Sequence, residues 1–188
     1  MADVSKRSPR RRNSLRLPTA DYNQPAAYFI TITTQKRRQL FGSIHEGQMI
    51  CSRYGSVVWD VWRSLPAKYP DIEIDTAVVM PDHFHGIIII KDMVGAIHES
   101  PLRTGVDKSP LRTGVDKSPL QRRKMKLPLV VGYLKMNAAR EINRLRGTPG
   151  QTVWQRGYYD HILRDDRDYD ALTEYILTNP QNLLVDKE

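Results

Sequence analysis

Two histidines one residue apart, His83 and His85, stand in the stretch Met80-Pro81-Asp82-His83-Phe84-His85-Gly86, which runs on into four consecutive isoleucines, Ile87 to Ile90. Alternate side chains of a strand share a face, so both imidazoles point one way and Phe84 the other. Neighbouring imidazoles on rigid backbone make half of a metal site. Taken alone, the pair is equally two polar residues at the mouth of a strand, bonded to their neighbours. Far along the chain, Tyr175 and Asn179 lie four apart on a predicted helix, one turn from each other on one face. A phenol that could act as nucleophile and an amide oxygen that could complete a metal site are what the histidine pair lacks. The bland alternative is a half-buried core tyrosine followed by an ordinary helix end before Pro180.

The elements that must position these groups follow from periodicity and punctuation. Residues 27–34 are β-branched and aromatic and read as a strand ending in the basic cluster Lys36-Arg37-Arg38. Val57, Val58, Val61, Trp62 and Leu65 recur at helical spacing from about residue 50, closed by Pro66 and Pro70. Residues 72–79 and 83–90 read as strands joined by the Pro81-Asp82 turn, a hairpin. Val131, Leu134, Ala138, Ile142 and Leu145 predict a helix over 128–146, basic on its polar side through Lys135, Arg140, Arg144 and Arg146. Residues 153–163 have strand content, and a last helix starts after Asp165-Asp166 and stops at Asn179-Pro180. Strand, helix, strand, strand, helix, strand and a further helix is the split βαβ, ferredoxin-like order. The predicted fold is α+β, an antiparallel sheet with helices on one face plus a C-terminal helix. Fold alone assigns no activity.

Length and composition bound the answer. At 188 residues and 40% hydrophobic, the chain suits one domain with tails or an insertion to spare. A domain over 25–182 is expected, preceded by a disordered basic arm at 1–24 and followed by a short tail at 183–188. The nonapeptide Ser-Pro-Leu-Arg-Thr-Gly-Val-Asp-Lys occurs twice in tandem and a third copy begins at Ser118. That repeat, an insertion over 98–120, is too short and polar for a solenoid and reads as a lengthened loop without chemistry. No run of 18 apolar residues exists, and the start lacks a secretory signal, so no membrane partner is expected. The single cysteine, Cys51, excludes an internal disulfide framework and a cysteine zinc cluster. A cytoplasmic protein follows.

The net charge is +8, with +5 in residues 1–16, +6 in residues 100–126 and −3 in the remainder. Basic segments around a slightly acidic body suit a polyanion, and nucleic acid is the expected partner. Solvated tails with no partner are the alternative. Arg37, Arg38, Arg122, Arg123, Lys124 and Lys126 are the candidate backbone contacts. Tyr158 or Trp154 could stack on an unpaired base, although such aromatics are more often core. His161 reads as structural, and His45 and His98 as incidental loop residues.

The motif His83-Phe84-His85, with Trp154-Gln155-Arg156, Asp160-His161-Ile162-Leu163-Arg164-Asp165 and Glu174-Tyr175-Ile176-Leu177-Thr178-Asn179-Pro180, resembles the REP-associated tyrosine transposases, members of the single-tyrosine HUH superfamily. The resemblance spans residues 28–182. It implies that Tyr175 is the nucleophile, that His83 and His85 bind Mg²⁺ or Mn²⁺ with Asn179 as third ligand, and that the substrate is single-stranded or hairpin DNA. It also implies cleavage and strand transfer through a 5′-phosphotyrosine, near the nucleoid, by a monomer or homodimer. The competing functions are a non-catalytic nucleic-acid-binding module and a phosphodiesterase that uses water.

Overall fold

A computed structural model describes residues 24–91 and 125–182. The N-terminal arm, the repeat insertion, His98, Arg122, Arg123, Lys124 and the tail after 182 lie outside the described residues.

Ten principal elements follow one another: β1 Ala26–Thr33, β2 Gly42–His45, β3 Gln48–Cys51, α1 Arg53–Arg63, the short α2 Leu65–Lys68, β4 Ile72–Val79, β5 His83–Ile90, α3 Lys126–Leu145, β6 Tyr159–Leu163 and α4 Asp166–Asn182. The main sheet has four strands in the order β4-β5-β1-β6, and every neighbouring pair is antiparallel. This is the expected α+β, ferredoxin-like arrangement, with β1 and β5 central.

Alternation along the strands divides the apolar residues between two faces. On one face Tyr28, Ile30, Ile32, Phe84, Ile88 and Ile90 are buried beneath α1 and α3, which contribute Val58, Trp62, Leu127, Val131, Leu134, Ala138 and Ile142. The three- and four-residue spacing of those α3 positions is what turns a single stripe of the helix inward. Gly86 in β5 serves the same packing: a Cβ there would meet the Trp62 ring at 2.8 Å, so glycine lets the indole lie on the strand. On the other face α4 packs Ile176 and Leu172 on Phe29, Ile87 and Leu163. The terminal helix thus closes the sheet from the side opposite α1 and α3.

Three local features depart from the sequence reading. A hairpin, β2–β3, precedes α1, so Ile50 and Cys51 are strand and not helix. Its two-residue turn, Glu46-Gly47, has positive φ at both positions, as a tight hairpin turn requires, but lacks the Asn-Gly or Asp-Gly that would have announced it. The helix begins where the Ser52 side chain accepts from Tyr54 and Gly55 amides. Within 153–163 regular strand begins only at Tyr159, and Trp154 makes an isolated bridge to Thr34. Finally, α4 continues past Asn179 to Asn182 with Pro180 inside its last turn.

Candidate active site

The register of the sheet assembles the site. Thr33 faces His83, Thr31 faces His85 on one side and Tyr159 on the other, and Phe29 faces Ile87 and His161. These positions fall on the face that α4 covers. Where α4 leaves the sheet open, a cleft of about 670 Å³ remains, lined by Phe29, Thr31, Thr33, Arg37, His83, His85, Tyr159, His161, Asp168, Leu172 and Tyr175. The turn before His83 is pinned from both sides: Met80 N–H donates to the His83 carbonyl, Thr34 N–H to Asp82 and Phe41 N–H to Pro81. The imidazoles therefore stand on fixed backbone.

Each histidine has its Nδ1 engaged. His83 Nδ1 lies 2.5 Å from Asp82 Oδ1, and His85 Nδ1 lies 2.8 Å from Thr31 Oγ1. The rings are 4.6 Å apart, centre to centre, at 76°. His85 is buried, and among the described residues its Nε2 has no hydrogen-bond partner. Burial, and secondarily the neighbouring His83, hold its pKa down to about 3, so the ring is neutral at physiological pH. In the tautomer whose Nδ1–H donates to Thr31, Nε2 keeps a buried lone pair with nothing to receive it. That is the state in which imidazole binds a metal, with its other nitrogen fixed by a neighbour. Among the described residues no third His, Cys, Asp or Glu joins the pair. The donor set fits a divalent cation that takes two imidazoles and fills its remaining positions with oxygen.

Tyr175 is brought to these rings by α4. At the start of that helix Asp165 Oδ1 accepts from the Asp168 amide at 2.9 Å. The Asp168 carboxylate in turn lies 2.8 Å from His161 Nε2 and accepts from the Arg164 amide. The His161 bond holds Asp168 below the usual carboxylate range. These contacts tie the helix to the edge strand β6, and Leu172 and Ile176 seat it on the apolar part of the sheet. The Tyr175 ring then lies 5.4 Å from His85 and 6.2 Å from Phe29, edge-on to each, and remains 44% exposed. Phe29 itself stacks on His85 at 5.2 Å. The tyrosine and both histidines meet within one chain.

The other predicted residues are distributed unevenly. Asn179 is buried one turn beyond Tyr175 and does not line the cleft. Arg37 does, 3.6 Å from Asp82. It and Lys36 take positive φ, a conformation that non-glycine residues seldom adopt. Arg38 is exposed beside them. Lys126 pairs with Asp71, next to Ile72, which faces Ile90 at the far end of β5, about 23 Å of strand from His83. The polar side of α3 is engaged locally: Lys135 donates to the Gln155 and Gly157 carbonyls, Arg144 pairs with Glu141, and Arg146 donates to Asn143. Trp154 and Tyr158 are both buried. Unread from the sequence were Thr31, Asp82, Tyr159 and the His161–Asp168 pair. Asp82 adjoins His83 and was open to notice, whereas Thr31 and Tyr159 emerge only from strand register.

No family model matches the chain. An uncharacterized protein of Haemophilus influenzae is 34% identical over 169 residues, which cover 90% of this chain and 88% of that one. This chain belongs to that protein's family. Among solved structures, a REP-associated tyrosine transposase bound to a REP hairpin is similar at a TM-score of 0.49 and 18% identity, over 85% of this chain and 68% of that one. A candidate transposase from Deinococcus radiodurans is similar at a TM-score of 0.46 and 16% identity, over 81% and 89%. No helix of the described residues is long and apolar enough to cross a membrane.

Proposed function

We propose that the protein is a transposase-like strand transferase that cuts single-stranded DNA and keeps the 5′ end as a phosphotyrosine on Tyr175. The observation that carries this reading is the meeting of the Tyr175 phenol with His83 and His85 in one open cleft of one protomer. The resemblance of the surrounding motifs adds the substrate class, a DNA hairpin with an unpaired flank of the REP type.

The chain's own groups account for most of the step. Arg37, exposed at the rim, draws the DNA backbone toward the cleft. Tyr175 Oη attacks phosphorus and gives up its proton; the P–O3′ bond breaks, leaving a 3′-hydroxyl on one fragment. The other fragment is held through its 5′-phosphate, and because the new bond is still a phosphodiester, a later 3′-hydroxyl can attack it and release the phenol. No external energy source is needed. Asp82 and Thr31 fix the two imidazoles, and His83 and His85 would hold Mg²⁺ or Mn²⁺; Asn179, which the resemblance makes a third ligand, is buried one turn beyond Tyr175 and outside the cleft lining. When bound, the cation draws charge from the scissile phosphate and lowers the cost of activating a phenol whose ordinary pKa is about 10. A nucleophile that reaches the site within its own chain suits a monomer, acting in the cytoplasm at the nucleoid.

The test is a 3′-labelled hairpin with an unpaired flank, incubated with the protein and Mn²⁺ and run on a denaturing gel. The label should migrate with the protein, and Tyr175→Phe should abolish that band. An adduct formed by Tyr175→Phe removes the nucleophile. Cut DNA without an adduct means hydrolysis by water, and binding without cutting means a non-catalytic module.

A further inference from the structure

Tyr158 and Tyr159 are adjacent in sequence and opposite in fate. Tyr158 turns into the core beneath α3, 7% exposed, whereas Tyr159 turns toward the cleft, 44% exposed. Among the described residues the ring contact of Tyr159 is with Phe29, at 6.4 Å and 71°. Phe29 is in turn occupied on its face by His85. Tyr159 opens β6, the edge strand of the sheet, and among the described residues no further strand covers the side beyond it. A large aromatic left 44% exposed at the lip of the cleft, held among the described residues by one edge contact to Phe29, is poised to receive a flat partner.

The register says where that partner lies. His85, Thr31 and Tyr159 form one row across three strands. Two strand spacings separate the histidine from the tyrosine, about 10 Å. That is no more than about three nucleotides, even at the compressed rise of 3.4 Å per nucleotide along a strand in duplex. Bases inside a duplex are stacked on one another and cannot present a face; an unpaired base can, and aromatic side chains take such bases with little regard to sequence.

We propose that Tyr159 forms a stacking subsite for an unpaired nucleobase within three nucleotides of the phosphate held at His83 and His85. This rests on the reading of the cleft as a site for single-stranded DNA. The subsite anchors the flank next to the cut and, together with the exposed Arg37, holds the strand in register.

The experiment measures binding, without cleavage, of a fluorescent hairpin carrying an unpaired flank, in chelator. Tyr159→Ala should weaken binding about tenfold to a hundredfold, and Tyr159→Phe or Tyr159→Trp should restore it. A single abasic site walked along the flank should weaken wild-type binding at one position and leave Tyr159→Ala indifferent there. Equal binding by Tyr159→Ala with an unchanged melting temperature, or an abasic walk that Tyr159→Ala reproduces, removes the subsite. The two ideas separate cleanly. An adduct on Tyr175 with Tyr159-independent binding sinks the subsite alone, and Tyr159-dependent binding with no adduct sinks the strand-transfer reading alone.

Discussion

On one face of the sheet Tyr28, Ile30, Ile32, Phe84 and Ile88 lie under two helices, and the largest of their helix partners, Trp62, is itself 1% exposed. On the other face their strand neighbours Phe29, Thr31, His83, His85 and Ile87 lie on the side where, among the described residues, α4 packs. That helix packs on Ile87 and Phe29 and leaves the cleft open beside them. The same strands thus carry a filled side and a half-filled side. Catalytic groups need the second kind of surface: rigid backbone beneath, with space and unsatisfied polar atoms above. The buried, unpartnered Nε2 of His85 is the kind of cost that a packed face would not tolerate.

The largest effect expected from this contrast is in stability. Leu134, fully buried on the filled side, should cost about 2–5 kcal/mol when cut to alanine. Leu172, partly buried at the edge of the cleft, should cost about 1 kcal/mol or less, because its site is already open to water. Urea denaturation of both variants checks the pair. Equal losses would mean that α4 is held as firmly as α1 and α3, and the asymmetry of the faces would be wrong.

How much of this the chain announces depends on which face is considered. The filled side was readable because its residues obey periodicity: the α3 positions from Val131 to Ile142 and the alternation around Phe84 predict burial without knowledge of partners. The chemistry of the open side was half readable. His83 and His85 share a face by local geometry, and Tyr175 stood out through its motif. Thr31, Tyr159 and Asp168 did not, because each matters through a neighbour on another element: Thr31 through His85 across the sheet, Asp168 through His161, seven residues back on β6. Trp154 and Tyr158 were read as candidates for stacking, with core as the commoner role for such aromatics. Both are core, Trp154 with its indole N–H given to the Lys135 carbonyl. Basic residues were the least legible. Lys126 and Arg37 look alike as charges, and only the folded sheet separates them.

A smaller effect should appear in the pH dependence of stability. His85 has a folded pKa of about 3 against an ordinary value of 6.5. The unfolded chain therefore binds a proton that the folded chain refuses, and stability is fully present above about pH 6.5 and lost as pH falls toward 3. The slope contributed is about 1.4 kcal/mol per pH unit inside that window. Denaturant midpoints between pH 4 and 7, in chelator, should fall more steeply for the wild type than for His85→Gln, whose amide can still bond Thr31 but does not titrate. Parallel slopes would show that the ring is less enclosed than the packing of Phe29 and Tyr175 against it implies.

The smallest effect concerns the two cations at opposite ends of the sheet. Arg37 is 73% exposed, and its contact with Asp82 at 3.6 Å is a surface pair of little strength, so the guanidinium is available to a phosphate. Lys126 is 30% exposed, paired with Asp71 and close to the Tyr69 ring, and it lies away from the cleft. One phosphate contact on a single strand contributes about 0.7 to the slope of log affinity against log salt. Titrations of single-stranded DNA at several salt concentrations should therefore show Arg37→Ala flattening the slope by about 0.7 and Lys126→Ala leaving it unchanged. If Lys126→Ala flattens the slope and Arg37→Ala does not, the strand runs along the other end of the sheet. Neither Tyr175 nor Tyr159 could then be what it meets.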